Sequence, residues 1–132
     1  MLPGVITGLD HVQVAAPPNT EAEARSFYGS LLGLPEIPKP PELADAGGAW
    51  FACGAQQLHI GTQDPFLASK KAHPAFAVAD AATLDVIAER LATAGAPVRW
   101  DERLPGVLRF YTEDPWGNRL ELCVPADLAS RH

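Results

Sequence analysis

At 132 residues the chain has room for one ordinary domain and not for two. Hydrophobic residues at 47% and charged residues at 20% give the balance of a globular protein, not of a disordered or fibrous one. A net charge of −6, with Lys70 and Lys71 the only adjacent basic pair, argues against a nucleic-acid surface, which needs concentrated Lys and Arg.

No run of about 18 apolar residues is present to span a membrane, and MLPGVITGLDHV lacks a basic stretch leading into an apolar one, so a cytoplasmic location is expected. Cys53 and Cys123 form no close pair and are too few for a secreted disulfide framework. They are expected to be buried reduced thiols on strands.

In chain order, Leu9 to Ala15 alternates as a strand. Thr20 and Glu23 then stand in capping-box spacing ahead of Ala24, Phe27, Tyr28, Leu31 and Leu32, one apolar stripe of a helix that Gly33 and Pro35 stop. A weak strand at Glu36 to Lys39 is restricted by Pro38, Pro40 and Pro41 to an edge or a loop. Ala49 to Cys53, Gln56 to Thr62 and Pro74 to Val78 read as strands. A second helix opens near Asp80, carries Leu84, Ile87, Ala88, Leu91 and Ala92 at the same spacing, and ends at Gly95 and Pro97. Strands at Val98 to Glu102, Val107 to Thr112 and Arg119 to Val124 complete the chain.

The order is strand, helix, three strands, given twice. Gly33 and Gly95 lie 62 residues apart, as do Pro35 and Pro97, while the helical stripes are offset by 60. A duplicated βαβββ unit of α+β class follows, with modules at about 8–63 and 72–125 in a single domain 1–132. Each amphipathic helix is expected on one face of a sheet.

The alternation puts three histidines and a glutamate, with two glutamines beside them, opposite the aliphatic residues of their strands. His11 and Gln13 oppose Val12 and Val14; Gln57 and His59 oppose Leu58 and Ile60; His73 opposes Phe76 and Val78; and Glu121 opposes Leu120 and Leu122. His11 and His73 are again 62 apart, as are His59 and Glu121. Three imidazoles and a carboxylate on the face away from the helices suit one divalent ion, Zn, Ni, Co, Mn or Fe. Arg109 and Tyr111 oppose Leu108 and Phe110 and are expected on the same face, with Arg109 suited to a substrate carboxylate or phosphate. Trp50, Phe51, Trp100 and Trp116 read as core or interface packing, and His132 as a terminal residue without a role.

LDHVQV, RSFYGSLLGLP, WFACGAQQLHI, AHPAFAV and RFYTEDPWGNRLELCVP, in this order, resemble the vicinal-oxygen-chelate superfamily of glyoxalases, bleomycin-resistance proteins and dioxygenases over nearly the whole chain. The most specific piece is the Asp114-Pro115-Trp116-Gly117-Asn118 turn feeding Leu120-Glu121-Leu122. The resemblance implies two βαβββ modules forming an eight-stranded cup-shaped mixed sheet with helices outside. It also implies metal ligands at His11, His59, His73 and Glu121. Gln13, Gln57, Arg109 and Tyr111, which alternation puts on the same faces, are expected beside the substrate. Glyoxalase I-like members usually carry Glu where this chain has His59.

Four protein ligands leave two adjacent positions on a six-coordinate ion, enough to chelate neighbouring substrate oxygens. A lyase or isomerase of glyoxalase type is therefore expected first, with Glu121 as the proton-shuttling carboxylate. The alternatives are an Fe(II) dioxygenase using His11, His73 and Glu121, and a non-catalytic protein that sequesters an antibiotic or metabolite. The expected partners are a small-molecule substrate and a second copy of the chain, in a homodimer.

Overall fold

The fold was obtained as a computed structural model and is described for residues 4–126, so His132 lies outside the described residues. Module one comprises β1 (His11–Ala16), α1 (Glu21–Ala24) running on as a π-helical segment (Arg25–Leu31), β2 (Glu36–Ile37), β3 (Ala49–Cys53) and β4 (Gln56–Thr62). Module two comprises β5 (Ala75–Ala77), α2 (Ala81–Thr93), β6 (Arg99–Trp100), β7 (Leu108–Glu113) and β8 (Arg119–Val124).

Each module folds into its own four-stranded mixed sheet, ordered β1-β4-β3-β2 and β5-β8-β7-β6. The first strand of each module pairs in parallel with the last, and the other neighbours are antiparallel. Gln13 is opposite His59 and Ala75 is opposite Glu121, the same pairing displaced by 62 residues. The repeat seen in the glycines is therefore built into the hydrogen-bond register. The eight expected strands are divided four and four, and β1 and β5 are each an edge strand with one side unpaired.

Both helices cover the aliphatic faces. Phe27, Tyr28, Phe51, Leu58, Leu84, Leu91, Phe110, Leu120 and Leu122 belong to one buried cluster drawn from both modules. A polar clamp crosses the module boundary inside it. The Tyr28 hydroxyl donates to Asp114 Oδ2 at 2.7 Å, and Asn118 Nδ2 donates to the Ala15 carbonyl at 2.8 Å. Burial first, and the Asp114 carboxylate second, push the Tyr28 hydroxyl well above the usual phenol range.

Several local expectations need correction. The capping box does not form, because Thr20 Oγ1 donates to the Pro17 carbonyl at 2.7 Å and caps no amide of the helix. The first helix is α only for four residues and then widens. Its Leu34 N–H to Tyr28 carbonyl bond reaches one residue further back than the corresponding Ala96 to Leu91 bond that closes α2. Asp80 does cap α2, accepting from the Thr83 amide at 2.8 Å.

β1 starts at His11 instead of Leu9; β5 and β6 are shorter than expected; and Pro41–Ala46 is a 3-10 segment that no sequence signal marked. β2 is an edge strand, as the prolines require. Cys53 and Cys123 lie on β3 and β8, form no disulfide and are only half-buried: Cys53 ends β3 on the face of Phe51, and Cys123 shares the face of Glu121.

Candidate metal centre

Strand register fixes which side chains share the face away from the helices. On sheet one these are His11 and Gln13 from β1, Gln57 and His59 from β4, and Trp50 from β3. On sheet two they are Arg119 and Glu121 from β8, with Arg109 and Tyr111 from β7. His73 precedes β5 in an extended segment, two residues ahead of Ala75.

On sheet two the two candidate ligands meet directly. His73 Nε2 lies 3.2 Å from Glu121 Oε1, while His73 Nδ1 lies 2.9 Å from the Lys71 carbonyl. A carbonyl only accepts, so Nδ1 carries the proton and Nε2 turns toward a carboxylate oxygen. Two acceptor atoms facing one another require a proton or a metal cation between them. The Lys71 carbonyl thereby fixes the tautomer that a ligand histidine needs. Glu121 is 8% exposed, and its other oxygen lies 3.5 Å from Arg109 Nη1. Arg109 Nη2 lies 3.5 Å from Asp101 Oδ2. The Arg109 fork is thus shared between two carboxylates, and Tyr111 packs edge-on to His73 with ring centroids 5.6 Å apart.

Sheet one holds a stack. The His59 ring lies between Trp50, at 3.8 Å between centroids and 3° between planes, and His11, at 4.2 Å and 16°. Trp50 is therefore part of the site face, a correction to its reading as packing alone. His59 is 4% exposed, and its Nε2 donates to Gln57 Oε1 at 2.8 Å, leaving Nδ1 bare. Burial first, and the neighbouring His11 second, hold the His59 imidazole below its ordinary value and so favour the neutral form that binds metals. His11 Nδ1 donates to Asp10 Oδ2 at 2.9 Å, which frees Nε2. Nearly parallel rings direct their in-plane lone pairs side by side and not at one point. Joint coordination therefore requires His11, the exposed member, to rotate out of the stack.

The four predicted ligands are brought together as two pairs. Among the described residues no group of three or more His, Cys, Asp or Glu side chains is placed to hold a metal ion. Alternation had put all four on equivalent faces, but those faces belong to two sheets. The unpaired edges of β1 and β5 border a cleft of about 810 Å³ lined by Leu9, Val12, Val14 and Phe76 together with Gln13 and His73. Asp101 and Arg119 were missed by sequence reasoning. Arg119 was legible in principle, two residues before Glu121 and hence on its face.

A protein with paired βαβββ modules and imidazole and carboxylate donors on the strand faces is of vicinal-oxygen-chelate type. The sequence profile of the Glyoxalase/Bleomycin resistance protein/Dioxygenase superfamily matches residues 8–122, and the chain belongs to that superfamily. It is similar to a glyoxalase family protein from Bacillus anthracis, 48% identical, with a TM-score of 0.87 over 93% of this chain and 98% of that one. Lactoylglutathione lyase from Agrobacterium tumefaciens shares the fold at 24% identity and a TM-score of 0.69, over 91% of this chain and 95% of that one. So does the fosfomycin resistance protein FosX from Listeria monocytogenes at 19% and 0.76, over 97% and 100%. No curated protein sequence matches the chain. Among the described residues no helix is long and apolar enough to cross a membrane.

Proposed function

We propose that this chain is a metal-dependent small-molecule enzyme of glyoxalase type, a lyase or isomerase, whose centre combines His11 and His59 of one copy with His73 and Glu121 of a second copy. The observation carrying the reading is His73 Nε2 turned toward Glu121 Oε1 at 3.2 Å with Nδ1 committed to the Lys71 carbonyl. That geometry suits two donors to one cation.

Completion by a second copy accounts for the two-by-two separation of the ligands. It also accounts for the unpaired edges of β1 and β5 and for the exposed apolar residues Val5, Ile6 and Leu9 ahead of β1 and Val12 on it. A two-fold pair would hold two identical centres.

A divalent cation bound there supplies Lewis-acid polarisation of two neighbouring substrate oxygens. The remaining work falls to side chains of the chain itself. The Glu121 carboxylate, loosened from the cation, would take a substrate proton and return it, while Arg109 holds its Oε2. Tyr111 borders the substrate beside His73, and Gln13 and Gln57 orient it from the facing sheet. Gly61 makes room for Gln13, since a Cβ there would lie 2.7 Å from its amide carbon.

One observation favours a second reading. His59 is held between Trp50 and His11 with a nitrogen committed to Gln57. A ligand set reduced to His11, His73 and Glu121 is the two-histidine, one-carboxylate set of Fe(II) dioxygenases. Elemental analysis of protein purified without a histidine tag should find one divalent ion per chain, and light scattering should find a dimer. Activity restored by Ni, Zn, Co or Mn supports the lyase or isomerase, whereas strict Fe(II) dependence with oxygen uptake selects the dioxygenase. The metal reading fails if no ion is retained and none of these metals shifts the melting temperature.

A further inference from the structure

Around Tyr111 the face of sheet two carries four arginines, and three have carboxylate partners. Arg99 Nη2 lies 3.3 Å from Glu113 Oε2; Arg103 is bound to Asp101; and Arg109 is shared by Asp101 and Glu121. Asp101 is held well below the usual carboxylate range by its bonds to Arg103, so that pair is charged throughout the physiological range. Arg119 is different. None of its nitrogens is within ion-pair distance of a carboxylate among the described residues, and its Nε, like that of Arg109, is buried without a hydrogen-bond partner.

Its guanidinium lies 5.3 Å from the centre of the Tyr111 ring and lines a cavity of about 410 Å³ with Arg99, Arg103 and Tyr111. Asp101, which also lines the cavity, and Glu113, opposite Arg119 in the register, are engaged by other cations, and Glu102 is exposed in the cavity lining. An arginine that lines a cavity without a carboxylate partner lacks an acceptor, and guanidinium groups bind planar or tetrahedral oxyanions through two parallel N–H bonds.

We infer that Arg119, backed by Tyr111 and Arg103, is an anion subsite that receives a carboxylate or phosphoryl group of the substrate. This deepens the proposed function and rests on it for the word substrate. Arg119 and Glu121 are two residues apart on one strand face, a separation of about 7 Å. The substrate is accordingly a small molecule that presents its reacting oxygens at Glu121 and an anionic group one strand repeat away. An uncharged compound with the same reacting end binds more weakly.

The test titrates the full-length chain, both after chelation and after loading with Zn, with inorganic phosphate in one arm and malonate in the other. Calorimetry gives the affinity, and the ¹H–¹⁵N resonance of the Arg119 side-chain Nε–H reports contact. Wild type and Arg90→Gln, on the exposed face of α2, should bind alike. Arg119→Gln should bind about tenfold more weakly or worse, with Arg119→Lys between.

Preference for phosphate assigns a phosphoryl or phosphonyl group, and preference for malonate a carboxylate; either supports the subsite. Saturable binding by neither anion overturns it, as does a folded Arg119→Gln variant with wild-type affinity. Because the chelated protein is included, the subsite can stand if no metal binds, and metal binding can stand if the subsite fails.

Discussion

Replacing Tyr28 by Phe isolates the clamp that joins the two modules, since the ring is kept and only the hydroxyl is lost. Tyr28 is 0% exposed and Asp114 5%. The Asp114 carboxylate accepts four bonds: from the Tyr28 hydroxyl and Asn118 Nδ2 on one oxygen, and from the Trp116 and Asn118 amides on the other. Removing one donor to a buried charged acceptor costs about 1.5–3 kcal/mol. For a chain of this length, with an unfolding entropy of about 0.3 kcal/mol per kelvin, that lowers the melting temperature by about 5–10 °C.

The pH dependence adds a second readout. The folded Tyr28 is raised above the ordinary tyrosine value near 10, so its stabilisation is complete below about pH 10 and is lost as pH rises from there toward the folded value. Tyr28→Phe lacks this alkaline loss. Circular dichroism melts at fixed protein concentration, from pH 7 to 11, measure both effects. A variant within about 0.5 kcal/mol of wild type at pH 7, below what any buried charged acceptor should lose, would refute the clamp.

At the metal centre, His73→Ala and Glu121→Gln should each abolish tight metal binding, whereas His59→Ala should weaken it less; isothermal titration with Zn or Ni reads all three. His59→Glu, which restores the usual glyoxalase-like donor, should bind better than His59→Ala, and equal affinities would place His59 off the metal. Asp80 is held below the usual aspartate range chiefly by the Thr83 amide, so its contribution is present above about pH 4 and fades as pH falls. Asp80→Asn should keep the cap but flatten this acid-side loss in melts between pH 2 and 6.

Much of this was legible because alternation and repetition are local properties. Val12, Val14, Leu58 and Ile60 mark the aliphatic face of sheet one, buried at Leu58 and Ile60, and hence the opposite face for His11 and His59. The 62-residue offset carried the same logic to His73 and Glu121. The widening of the first helix had no sequence mark, since its apolar stripe fits either pitch. Thr20 reads as a helix cap until its hydroxyl is seen on Pro17.

Alternation assigns a side chain to a face but not to a neighbouring sheet, so the division of the ligands into two pairs required coordinates. The same holds for Trp50. Its place opposite His59 depends on register, which no single strand encodes.

The central claim, that each centre takes His11 and His59 from one copy and His73 and Glu121 from another, is tested most directly by complementation. One chain carries His11→Ala with His59→Ala, and the other carries His73→Ala with Glu121→Gln. They are co-expressed with different non-histidine tags, and the mixed pair is isolated by both. Each parent has only defective centres, but the mixed pair should regain one intact centre from the undamaged halves and bind one divalent ion per two chains. A mixed pair as free of metal as its parents, beside a wild type that binds one ion per chain, would contradict the shared centre.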